Sequence, residues 1–136
     1  MGRLPQEFDD VRFSDLEPGR ELRTTYQVSA ELVAEYDRLV GAERPSTTVR
    51  PWVFSTFRPM FSGLGGRMEQ GSIHTRQRVV VHGSVPVGAV LDVVVRVTGA
   101  TERDGRRHVD LEIEYSHRGS AVCTTTGTFL WGEATR

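Results

Sequence analysis

The stretch Val49–Gly66, V-R-P-W-V-F-S-T-F-R-P-M-F-S-G-L-G-G, decides how the other residues of this 136-residue chain are read. Val53, Phe57, Met60, Phe61 and Leu64 recur at helical spacing, and Trp52 and Phe54 widen the apolar face. A helix this apolar has to be covered by a sheet, so its first role is core packing. Pro51 fits the first helical turn, where its missing N–H costs nothing. Pro59 is harder, because inside a helix it removes a bond and crowds the preceding turn. The expectation is a kink there, or a helix that ends near Phe57 and passes through an irregular turn into Gly63.

Working outward, everything after Gly66 reads as β. Ile73–His82 alternates at first and ends in three valines. In the next strand, Val90–Thr98, Leu91, Val93, Val95 and Val97 share one face. Asp104-Gly105 signals a tight turn into a strand with Val109, Leu111, Ile113 and Tyr115 facing in. Arg118-Gly119 turns the chain again into Ala121–Trp131. Upstream, Glu21–Val28 alternates as a strand, and Ser29 caps a helix that stops at Gly41. Leu32, Tyr36, Leu39 and Val40 are expected on its buried face, and Glu35, Asp37 and Arg38 on its wet one. Ala42–Thr48 is a loop, and residues 1–12 are a polar N-terminal extension on the surface. The fold class is α+β, an antiparallel sheet wrapped around a central helix within one domain spanning 13–136. An uncovered sheet edge and an apolar end strand point to a dimer.

Composition narrows the function. A net charge of −1 argues against a nucleic-acid partner, which calls for a basic face. All seventeen basic residues are arginine, which removes lysine nucleophiles and Schiff-base chemistry. No run approaches the ~20 apolar residues of a membrane span, and the N-terminus has no apolar signal region, so the expected location is cytoplasmic without membrane insertion. Cys123, the only cysteine, is read as a buried thiol. His74, His82, His108 and His117 lack metal-ligand spacing, so no metal is expected.

Several motifs, in order, resemble the MaoC-like hydratase/dehydratase family, which has the hot-dog fold. F-S-D-L-E-P-G-R-E-L at 13–22 is similar to its opening F-x-D-L-x-x-G, and S-A-E-L-V-A-E-Y-D-R-L-V-G at 29–41 to its first helix. R-V-V-V-H-G-S-V-P-V-G-A-V-L at 78–91 resembles the strand and turn r-F-x-x-P-V-x-x-G-D-x-L. V-D-L-E-I-E-Y-S-H-R-G-S-A-V-C-T-T-T-G-T at 109–128 resembles its final hairpin. The resemblance implies reversible addition of water to an enoyl thioester carried on coenzyme A or acyl carrier protein, with no other cofactor. It also implies a homodimer, or a heterodimer with another hot-dog chain.

That family activates water with a loop Asp and His in a pattern like G-D-x-N-P-x-H. Here, aligning Gly41 and Pro45 puts Ala42 at the Asp, Arg44 at the Asn and Thr47 at the His. The catalytic residues are therefore unassigned, with Glu43 and His74 as the remaining candidates. Arg50, Trp52, Val53, Phe54 and Phe57 are the expected substrate contacts, since the start of the central helix should polarise the thioester carbonyl. Three functions follow: a motif-lacking subunit of a dehydratase pair, an active (R)-specific hydratase with atypical residues, or an acyl-thioester hydrolase using Glu43.

Overall fold

Two hairpin turns set the register of most of the sheet. Asp104 and Gly105 have φ of 55° and 74°, and Arg118 and Gly119 have φ of 50° and 79°. Paired positive φ values are what a two-residue turn between twisted strands requires. In this computed structural model, which describes residues 8–44 and 47–133, they join β5 (Val90–Arg103), β6 (Arg106–His117) and β7 (Ser120–Leu130). With β2 (Glu21–Gln27) and β4 (Ile73–Val81) they form one antiparallel sheet ordered β2-β5-β6-β7-β4. Cross-strand rows such as Val93–Tyr115–Cys123 and Val95–Ile113–Thr125 face inward and are buried. Each large apolar side chain in such a row stabilises the fold by about 1.5–3 kcal/mol.

The central stretch is not one helix. Pro51–Ser55 forms a 3-10 turn, Thr56 is extended, and α2 (Arg58–Leu64) begins anew. The break therefore falls before Pro59, not at it, and Pro59 occupies the first turn of α2, where proline is tolerated. Gly63 lets α2 lie close on the sheet, because a Cβ there would come 2.6 Å from Val95 Cγ2. The 3-10 turn covers the β4–β7 side, and α2 covers β2 and β5.

α1 (Ala30–Leu39) starts as expected, with Leu32 N–H donating to the Ser29 hydroxyl at 3.2 Å. Its buried face differs. Val33 and Asp37 are buried, whereas Leu39 and Val40 are exposed. Asp37 turns inward because Arg50, thirteen residues on, supplies a cation 3.4 Å from its Oδ1. A buried carboxylate needs such a partner.

The N-terminal segment is also more than a surface arm. β1 (Asp10–Val11) pairs in parallel with β3 (Arg67–Met68), and Val11 is buried. The Arg67 guanidinium, 2.6 Å from Asp10, holds that carboxyl below its usual range. The indole N–H of Trp131 donates to the Val11 carbonyl at 2.8 Å, closing the fold between distant parts of the chain. No helix among the described residues is long and apolar enough to cross a membrane.

Candidate functional site

Each expected contact at the start of the central stretch has a definite place. Arg50 precedes the 3-10 turn, and its guanidinium is held against Asp37, donates to the Arg44 carbonyl at 3.4 Å and lies 5.1 Å over the Trp52 ring. These contacts tie Arg44 and the start of the 3-10 turn to α1. Val53 N–H is used inside the turn, donating to the Arg50 carbonyl at 3.2 Å. Trp52 N–H, by contrast, has no acceptor among the described residues. Phe54 is buried and packs its ring 4.9 Å from that of Tyr115. Phe57 is half-buried and turns toward β4.

His74 sits at the start of β4 on the inner face, opposite Phe129. Its ring stacks on Phe129 at 4.8 Å and meets the edge of Phe57 at 5.2 Å. Gly127 makes this stack feasible, since a Cβ there would come 2.9 Å from the Phe129 ring and 3.6 Å from His74 Nε2. The three rings border a slot of about 10 Å³, room for roughly one water. Thr56, Gln77, Thr125 and Thr126 supply its polar lining, and no carboxylate is among the lining residues.

Glu43 is elsewhere. It lines an open groove of about 510 Å³ along α1, with Ala30, Val33, Ala34, Asp37 and Arg38. That groove shares no residue with the slot beside His74, so the two catalytic candidates do not converge. Pro45, which anchors the loop alignment, lies outside the described residues. Among the described residues no group of His, Cys, Asp or Glu is arranged to hold a metal.

The remaining titratable groups of the interior are suited to packing. Burial pushes the Cys123 thiol up to about 11 and the Tyr26 phenol to about 12, so both are neutral near pH 7. Tyr115 is raised further by the same cause, and its buried hydroxyl has no hydrogen-bond partner among the described residues.

The sequence missed Gln77, Thr125 and Thr56. β4 carries a bulge between His74 and Arg76, so residues after Thr75 swap faces relative to simple alternation. Gln77 thereby joins His74 on the inner side. The only sequence signal for this is the row of polar residues in the first half of the strand.

With this geometry in hand, solved structures supply the comparison. The (R)-hydratase of A. caviae involved in PHA biosynthesis superposes with a TM-score of 0.61 at 24% identity, over 85% of this chain and 97% of that one. The HadBC (3R)-hydroxyacyl-ACP dehydratase complex of Mycobacterium tuberculosis gives 0.61 at 17% identity, over 83% and 96%. A hot-dog-like protein of Thermanaerovibrio acidaminovorans gives 0.63 at 15%, over 86% and 84%. The fold is the hot-dog fold. By sequence alone the chain matches no family profile and no curated protein. At these identities the likeness establishes the hot-dog architecture and leaves the chemistry to the residues themselves.

Proposed function

We propose that this hot-dog chain binds an acyl thioester, on coenzyme A or acyl carrier protein, and serves as the motif-lacking subunit of a dehydratase pair. The observation that carries this is the separation of Glu43 from His74, in two sites without a shared wall. Water addition needs a base and a group that orients the water, both within hydrogen-bond reach of it. Here the candidate base stacks between aromatic rings, and the nearest acid of the loop faces another groove. What the chain does offer is a donor and apolar side chains next to it in sequence. Trp52 N–H would serve the thioester carbonyl, and Phe54 and Phe57 border a slot of about 10 Å³ that an acyl chain enters only if those side chains move apart.

A catalytic partner chain would supply the Asp and His. The HadBC enzyme, whose fold this chain shares, is a complex, which supports reading the chain as one of a pair. The second reading is hydration by this chain alone, with His74 as base beside Gln77 and Thr125.

Hydration of crotonyl-CoA separates the readings. The expected result is no turnover by the purified chain, and turnover when it is co-expressed with a hot-dog chain bearing the Asp/His loop. Turnover by the chain alone that disappears in His74→Ala would establish it as a hydratase. Release of free thiol that disappears in Glu43→Gln would establish a thioester hydrolase.

A further inference from the structure

The slot beside His74 has room for roughly one water, so a longer ligand enters only by moving a ring. The rings are not equally free. Phe129 is 1% exposed, with His74 stacked on it, the edge of Trp131 against it and Gly127 close by. Phe54 is buried against Tyr115. Phe57 differs: it stands on the link between the 3-10 turn and α2, belongs to no strand and is half-buried. Phe57 is therefore the wall that yields.

How far it yields depends on what stands behind it. Phe61, one helical turn on, meets Phe57 at 6.1 Å. It makes no ring contact with His74 or Phe129 among the described residues, so it takes the opposite flank of Phe57. Phe8 in turn meets Phe61 edge-on at 5.7 Å. The segment that carries Phe8 is firmly held. Arg67 N–H donates to the Asp9 carbonyl at 2.8 Å, and the Asp10 carboxylate accepts from the Arg67 guanidinium and from Gln70 N–H at 3.2 Å. Gly66 gives this segment its seat, because a Cβ there would come 2.6 Å from the Asp9 carbonyl oxygen and 2.7 Å from Val11 Cγ2. Swinging Phe57 into water instead would forfeit the apolar surface it buries. Phe8 thus backs the one movable wall of the slot without lining the slot itself.

We infer that Phe8 sets the length of the acyl chain this protein accepts: acting through Phe61 and Phe57, it restricts the slot to short chains such as crotonyl. The nature of the ligand rests on the thioester reading. The inference adds its chain length and the residue that limits it.

cis-Parinaric acid, a linear fluorescent fatty acid, probes the slot without any thioester. Phe8→Ala should bind it about tenfold more tightly than wild type, and Phe8→Leu, which restores bulk against Phe61, should return to the wild-type affinity. The bonds that hold residues 9–11 do not use the Phe8 side chain, so both variants should fold, as a cooperative circular dichroism melt would show. Calorimetry with crotonyl-CoA and 2-decenoyl-CoA gives a second readout. In Phe8→Ala the ratio of the two affinities should move toward the longer chain, whereas a merely structural role would weaken both alike. Equal affinity of wild type and Phe8→Ala for parinaric acid overturns the inference, as does a gain that Phe8→Leu fails to reverse or an unchanged thioester ratio. If neither thioester binds and parinaric acid responds as expected, the thioester reading falls and control of the slot by Phe8 stands.

Discussion

The two edge strands of the sheet are built by opposite rules. β2 is protected by its own chain: α2 lies across it, Tyr26 is buried, and its charges alternate in sign, with Glu21 tied to Arg96 at 2.7 Å and to Arg23 at 3.7 Å. β4 has apolar residues left uncovered, and its charges are of one sign and make no ion pair among the described residues. Natural sheets blunt an edge they do not use. This chain blunts β2 and leaves β4 open, and the candidate ligand slot beside His74 lies on the open side.

The contrast can be broken hardest through α2. Met60 is buried where α2 meets the sheet, so Met60→Ala should lower the unfolding free energy by about 2–5 kcal/mol in urea denaturation. A loss below about 1 kcal/mol would show that the β2 side is not closed as described. Gly63→Ala forces a methyl against Val95 and should cost about 1–3 kcal/mol, with the thermal midpoint falling accordingly.

Acid sharpens the comparison further. The Arg96 guanidinium lowers the Glu21 carboxyl below its ordinary value of 4.5. A depressed carboxylate adds stability above its unfolded pKa and loses it as pH falls through the lower folded value. Denaturation curves for Glu21→Gln should therefore be less pH-dependent than wild type below about pH 4.5, with no difference in slope near pH 7. The smallest effect belongs to the open edge. Val81→Ser should change the stability of the isolated chain by no more than about 0.5 kcal/mol, because the side chain is largely exposed there. A large loss would mean that the chain already buries this residue on its own.

Much of this architecture was legible because it is local. The Asp104-Gly105 and Arg118-Gly119 turns, the alternating strands and the Ser29 cap all depend on residues near one another in sequence. The misreadings were long-range. Asp37 looked like part of a wet helical face until Arg50 was found beside it. Residues 1–12 looked like a surface arm, yet Val11 needs β3 and Trp131 to explain its burial. Site residues were partly legible: Phe57 and His74 do meet, but the bulge that brings Gln77 beside them depends on how β4 pairs with β7. Gly127, whose missing side chain admits the stack, gives no such clue in the sequence.

The hydrogen bond from Trp131 to Val11 has a consequence for the order of events in folding. During synthesis the Val11 carbonyl emerges before, and its donor after, every strand of the five-stranded sheet. Closing so long a loop costs entropy, and the cost is smallest once the intervening strands have drawn its ends together. The indole is thus a natural clock. Its burial marks completion rather than nucleation, and its fluorescence in refolding should follow formation of the sheet.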